Sequence, residues 1–368
     1  MTRQEEFAAK LARVRALLSE QHLGAAILSR RSNFAWLTCG GQNHVAAASE
    51  FGAGSLIVTR DQVFLLSNNI ENTRLFEEEC HGLSLVPLAF PWHLESVEKP
   101  SMLQMALGSF PFGSDGIGGG TDLSAGITQL RHPLLNPEVD RYRALGREAE
   151  EVMNRVCRSL RKGMTEYQVA AELAAGCLDR GMDSTVRLIA FDERIDRFRH
   201  PVPTGKTLEE RALVALGARR SGLIVSLSRM VSLKPISEEL RRRHEAVCRI
   251  DTVFNLSSQP GATLGGILSK GIAQYEREGF GDEWHLHHQG GLTGYEGRDV
   301  RATPECKVAL SAPTAVAWNP SITGTKSEDT FLVTENGVEN LTASSDWPKV
   351  RAETDIGMLE RYDILEVS

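Results

Sequence analysis

Three histidines fall within four positions of the chain, His285, His287 and His288. Imidazole exchanges protons near neutral pH, and its neutral form is a good transition-metal ligand. On a strand His285 and His287 would share a face and His288 would point the other way. Two readings follow: histidines hydrogen-bonding around a polar pocket, or a metal site assembled from this trio. A second string of chemical interest is the Gly-rich Gly116–Thr121. It has neither a following Lys-Ser/Thr nor a G-x-G-x-x-G spacing, so it reads as a turn after a short strand rather than a phosphate cradle. The six cysteines, Cys39, Cys80, Cys157, Cys177, Cys248 and Cys306, form no C-x-x-C pair. That excludes a zinc ribbon or a thioredoxin-type motif and leaves reduced, mostly buried thiols as the expectation.

Further along, four segments stand in a telling order: Leu213–Arg219, Gly222–Arg229, His287–Gly294, and Trp318-Asn319-Pro320 followed by Ser327–Thr330. Together they resemble the creatinase/aminopeptidase P/methionine aminopeptidase family (peptidase M24), whose catalytic domain is the pita-bread fold. Asn33–Thr38 and Glu71–Arg74 look like the non-catalytic N-terminal domain of creatinase and aminopeptidase P. Gly163–Glu166 and His200–Thr204 match further family signatures. Metal-dependent members carry Asp, Asp, His, Glu and Glu as ligands to two divalent ions. The resemblance puts Ala215, Ser226, Gly291 and Asn319 at the first four of those positions and keeps only Glu328. Two divalent ions need several hard, charged donors, so neither a metal nor another cofactor is expected.

Creatinase is a metal-free hydrolase on this scaffold, splitting a C–N bond with a pocket histidine and carboxylates. The resemblance therefore makes His200 the candidate general acid/base and Glu328 a catalytic-pocket carboxylate that holds substrate or orients His200. A buried ion pair between Glu328 and Arg229 is the alternative. Arg298 sits where metal-dependent members often place a second pocket histidine. It would clamp a substrate carboxylate or pair with Asp299 or Glu328. Arg229, His287, His288, Tyr295, Asn319 and Lys326 are the remaining substrate-binding candidates, and the pocket should favour an anionic group. Three functions stay open: a metal-independent hydrolase of a C–N bond in a small amide, amidine or dipeptide-like molecule; a catalytically inactive binding protein; and an Xaa-Pro aminopeptidase or dipeptidase. The resemblance also implies a homodimer, with Trp36, Phe51 or Trp92 contributing to a lid.

The elements that must position these residues are partly legible. Phe7, Leu11, Val14 and Leu18 fall at helical spacing over residues 3–21, with Thr2 and Glu5 as a capping box. Ala25–Leu28, Phe34–Leu37, Ser55–Thr59 and Gln62–Leu66 read as strands, and Ile70–Glu79 as a helix. A break near residues 130–138, with Pro137 as a helix start, divides a creatinase-like domain (1–135) from a pita-bread domain (136–368). In the latter, a long helix to about residue 161, a helix capped by Thr165 and Gln168, strand-like Leu213–Ser228, helices over 237–249 and 262–278, and strands Ala315–Trp318 and Thr330–Thr334 follow. The resemblance, rather than the periodicity, implies the fold class: α/β (α+β), with a curved antiparallel sheet flanked by helices.

Composition agrees with this. A chain of 368 residues with 41% hydrophobic and 24% charged residues can bury two ordinary cores. The formal net charge is -7 with no basic block, so a nucleic-acid partner is not expected. The opening Met1–Glu6 is charged, unlike a signal peptide, and no apolar run reaches the roughly 18–20 residues that span a bilayer. A cytoplasmic protein with no membrane partner, acting on a small molecule, is the expectation.

Overall fold

The computed structural model describes residues 1–367. The chain divides into two compact units, Met1–Glu138 and a second from Val139 onward.

The first unit opens with helix α1 (Arg3–Glu20). Thr2 Oγ accepts from the Glu5 amide and the Glu5 carboxylate accepts from the Thr2 amide, so the capping box forms. Strands β1 (Ala25–Arg30), β2 (Phe51–Thr59), β3 (Val63–Asn68), β4 (Val86–Phe90), β5 (Phe112–Ser114) and β6 (Thr121–Asp122) form one mixed sheet in the order β4-β3-β2-β1-β5-β6. Phe34–Leu37 departs from expectation. It lies in helix α2 (Arg31–Leu37), where every residue is buried. A short apolar run buried on all sides carries no period that separates helix from strand. Trp36 is consequently core, fully inaccessible, and cannot serve as a lid. The helix expected over Ile70–Glu79 is a single turn, Asn72–Arg74, that widens into a π-type turn over Leu75–Glu79. Helix α3 (Glu95–Leu107) lays Ala106 and Leu107 against Ile27, Ile57 and Leu66 of the sheet. Gly116–Gly120 is a loop between β5 and β6, with positive φ at Gly116, Gly118, Gly119 and Gly120, and α4 (Ser124–Arg131) follows.

Helix α5 (Asn136–Arg158) starts at the boundary, and α6 (Glu166–Leu178) is capped by Thr165 with Gln168 in a second capping box. Strands β7 (Asp183–Phe191), β8 (Arg211–Arg220) and β9 (Leu223–Ser232) are antiparallel neighbours. The strand-like run Leu213–Ser228 is therefore a hairpin. It turns at Ser221 and Gly222, both at positive φ, the geometry that matches strand twist in a two-residue turn. Helices α7 (Glu238–Ser257) and α8 (Leu264–Arg277) come next. A second sheet is wholly antiparallel: β10 (Gly290–Thr293), β11 (Val300–Arg301), β12 (Thr314–Trp318), β15 (Asp329–Thr334) and β16 (Gly337–Asn340), in the order β11-β10-β12-β15-β16. Between its members lies the hairpin β13 (Ser321–Ile322)–β14 (Thr325–Lys326). The hairpin β17 (Lys349–Thr354)–β18 (Gly357–Tyr362) follows, and β19 (Leu365–Glu366) joins β9 in parallel.

Ile250, Phe254, Ile267 and Leu268 of α7 and α8 pack on Leu292, Val316, Trp318 and Phe331 of this second sheet. Phe254 stacks flat on Trp318 at 4.7 Å, and the indole N–H donates to Ser258 Oγ at 2.9 Å. Trp318 is thus core, and it fixes the strand end that delivers Asn319. All six cysteines are unpaired and five are buried. Among the described residues no helix is long and apolar enough to cross a membrane.

Candidate functional site

The second unit holds a cavity of about 530 Å³ where its two main sheets meet. An isolated bridge between Ser228 and Glu328 joins the sheets at that place. On one side the hairpin β8–β9 pairs Ala215 with Ser228 and Gly217 with Ser226. Ala215 and Ser226 both face the cavity, as do Thr185, Val186 and Leu188 of β7. His200, His288, Arg298, Arg301, Asn319, Lys326 and Glu328 complete the polar lining.

Glu328 is the electrostatic centre. Its Oε1 accepts from Arg298 Nη2 at 3.0 Å, and its Oε2 accepts from Lys326 Nζ at 2.7 Å and Ser228 Oγ at 2.6 Å. Burial by itself would raise this carboxyl's pKa. Lys326 and Arg298 overcome that and hold it well below the ordinary carboxylate range. Arg298 reaches further, to Ser226 Oγ at 3.4 Å, so one guanidinium spans Ser226 and Glu328. The expected pair between Arg298 and Glu328 is present.

His200 and His287 share a hydrogen bond between their Nε2 atoms at 3.0 Å, and His287 Nδ1 lies 3.3 Å from Ser321 Oγ. His200 faces the cavity, and its Nδ1 has no protein partner among the described residues. Burial, then the charge of Lys326, lowers His200 below the usual imidazole value and His287 to about 2. Burial and Arg298 lower His288 to about 4. All three are therefore neutral at neutral pH. Three buried atoms of the lining lack hydrogen-bond partners: His288 Nδ1, Arg298 Nε and Asn319 Oδ1. Unmet polar atoms beside an open volume are what a ligand or ordered water satisfies.

Gly291 adds nothing to the cavity wall, whereas His288 does. A Cβ on Gly291 would lie 2.1 Å from the Val300 carbonyl oxygen, and its φ of +146° suits glycine alone. Three expectations need correction. Arg229 is not a substrate group or a partner of Glu328: it is buried, pairs with Asp329 at 3.0 Å and lies over the Tyr362 ring. Successive strand residues point to opposite faces, and it is the neighbouring Ser228 whose side chain meets Glu328. Tyr295 is buried and absent from the lining. His285 is exposed with its ring against Trp284, so the trio of His285, His287 and His288 does not assemble. Ser228, Arg301 and the β7 residues were missed. Ser228 had a signal, since it alternates with Ser226; Arg301 had none beyond its charge.

A pair of divalent ions does not fit this donor set. Ala215 offers no donor, Ser226 and Asn319 are neutral, and both oxygens of Glu328 already accept from an ammonium, a guanidinium and a hydroxyl. His288 and Glu328 alone cannot balance two such charges.

Comparisons with known proteins agree on the scaffold. The model of metallopeptidase family M24 matches residues 140–335, more than half of the chain. An uncharacterized peptidase of Staphylococcus haemolyticus is 25% identical over 234 residues, covering 60% of this chain and 65% of that protein. The match thus spans just under two thirds of this relative's own length. The prolidase from Pyrococcus horikoshii OT3 superposes with a TM-score of 0.77 over 92% of this chain and 99% of that one, at 17% identity. The N-terminal domain of a FACT complex subunit from Cicer arietinum (chickpea) does so with a TM-score of 0.72 over 92% and 96%, at 13% identity. Such low identities speak to fold alone. With the family model over its second unit and the prolidase architecture over nearly its whole length, the chain belongs to metallopeptidase family M24 and has the pita-bread fold.

Proposed function

We propose that this chain is a hydrolase that cleaves a C–N bond in a small, anionic amide, amidine or dipeptide-like molecule without the family's two-metal centre. One observation carries the reading. The remaining ligand carboxylate is neutralised from within the chain by Lys326 and Arg298, while His200 faces the same cavity with an unpartnered Nδ1.

His200 takes a proton from water as it adds to the carbonyl or amidine carbon, then returns it to the departing amine. Lys326 and Arg298 are cations already held in place by Glu328, so they can stabilise developing negative charge without reorganising. Asn319 Oδ1 accepts from a substrate N–H. Arg301, exposed at the rim with no carboxylate partner among the described ion pairs, attracts the substrate's anionic group. Glu328 acts here as an anchor for two cations and does not carry the proton.

The test is mass-spectrometric depletion of Xaa-Pro dipeptides, creatine-like amidines and cyclic amidines in excess chelator. Depletion by the wild type and none by His200→Ala is the expected result. Turnover that survives His200→Ala sinks this mechanism, and turnover seen only with added manganese replaces it with an Xaa-Pro dipeptidase or aminopeptidase. A second reading, a binding protein without turnover, draws on the saturation of both Glu328 oxygens. It expects ligands that raise the melting temperature and are recovered intact.

A further inference from the structure

His200, His287 and His288 each bring a ring nitrogen within 4.8 Å of the others. This is a different trio from the one the sequence crowds together, and it draws a residue from 87 positions upstream. From it we infer a binding site for one divalent transition-metal ion of borderline softness, such as Zn²⁺, sharing no residue with the ligand positions that the family resemblance assigns.

The donor type is right for that class. Neutral imidazoles suit Zn²⁺, Co²⁺, Ni²⁺ and Cu²⁺, whereas Mg²⁺, Mn²⁺ and Ca²⁺ prefer oxygen donors. The spacing needs only side-chain adjustment. With Zn–N bonds of about 2.0–2.1 Å a tetrahedral pair of nitrogens sits about 3.3 Å apart, and His200 and His287 Nε2 are at 3.0 Å.

Orientation is also built in. His287 Nδ1 lies beside Ser321 Oγ, the kind of outer contact that fixes which nitrogen a ligating histidine presents. Ser321 in turn is held through its amide by the Tyr275 hydroxyl at 2.9 Å. His288 Nδ1 is buried without a partner. Of the three cations that act on the trio, Lys326 and Arg298 are bound to Glu328, which limits their repulsion of a bound ion, and Arg301 stands exposed to solvent, which screens it. Three imidazoles leave a fourth position open toward the cavity, as in catalytic rather than structural zinc sites. A metal here would occupy His200. It would therefore inhibit the hydrolysis proposed above, and that consequence alone rests on the hydrolase reading.

The test is calorimetric titration of the chelator-stripped full chain, without a polyhistidine tag, with Zn²⁺, and with Co²⁺ as a spectroscopic probe. The expected result is one ion per chain and the visible absorption of tetrahedral Co²⁺, unaffected by excess Mg²⁺. His285→Ala should bind as the wild type does. His287→Ala and His288→Ala should lose at least about tenfold in affinity, the lower end for altered metal sites. Should the buried His287 variant not fold, as judged by thermal unfolding without metal, the exposed His200→Ala gives the same comparison. Absence of saturable binding overturns the site, as does equal binding by all variants or loss of binding in His285→Ala. Binding is read without turnover, so a failed search for substrate leaves this result intact.

Discussion

Glu328 and Asp329 are neighbours in sequence yet belong to opposite kinds of charge cluster. Asp329 faces inward, accepting from Arg229 at 3.0 Å, Arg361 at 2.6 Å and Thr342 at 2.7 Å. Arg361 also reaches Asp251 at 2.6 Å, and Asp251 accepts from Ser327 and Asn255 as well. Beside that network the free space is about 10 Å³, room for little more than one water. Glu328 faces outward, and its own bonds are as complete, but it borders about 530 Å³ rimmed by unmet polar atoms. The contrast teaches how to tell a structural charge cluster from a functional one in the same chain. Ion pairing is equal in both, and both hold buried polar atoms without a partner, Arg229 Nε and Arg361 Nε and Nη1 on the inner side; what differs is the open volume beside them.

That contrast can be broken by mutation. Arg361→Ala should have the largest effect, since it strands two buried carboxylates. The expected loss is about 3–5 kcal/mol in urea unfolding, and a loss under about 1 kcal/mol would deny the inner network its structural role. Glu328→Gln should cost less, about 1–3 kcal/mol, because Lys326 and Arg298 can turn toward solvent in the cavity. The same change should abolish ligand binding or turnover; equal destabilisation by the two variants would erase the distinction.

The inner side should also carry an acid-dependent term. His244 is buried, donating to the Tyr362 carbonyl and accepting from the Thr325 hydroxyl, and burial lowers its pKa. Its folded form stays neutral while the unfolded chain takes up a proton below about pH 6.5, so stability falls on acidification. Melting curves between pH 7 and 5 should show this slope, at most about 1.4 kcal/mol per pH unit, reduced in His244→Gln. The smallest effect belongs to the rim. Arg301→Gln should leave stability within about 0.5 kcal/mol. It should weaken an anionic ligand by about threefold to tenfold, less so at high salt.

Local signals in the sequence were reliable where a few adjacent residues settle the matter. The capping boxes at Thr2–Glu5 and Thr165–Gln168 are complete in themselves and are both present. Phe34–Leu37 was misread because burial on every side erases periodicity. The site was half legible. Ala215, Ser226, Asn319 and Glu328 were placed by motif order, and all four line the cavity. Gly291, placed by the same order, adds nothing to the cavity wall, and the clash a side chain would meet there with the Val300 carbonyl exists only in the paired sheet. Arg229 and Arg298 were interchangeable as charges until strand alternation sent one inward and left the other at the cavity. The pairing of His200 with His287 is a tertiary contact that no local pattern encodes.

The ammonium that sits on Glu328 belongs to Lys326, two positions away on the same polypeptide. A coordinated ion obeys mass action: its occupancy falls with dilution, with chelators and with supply. A lysine's occupancy is one per chain from the moment of translation. The field inside this cavity is thus inherited with the sequence rather than acquired from the surroundings, and only substitution can empty it.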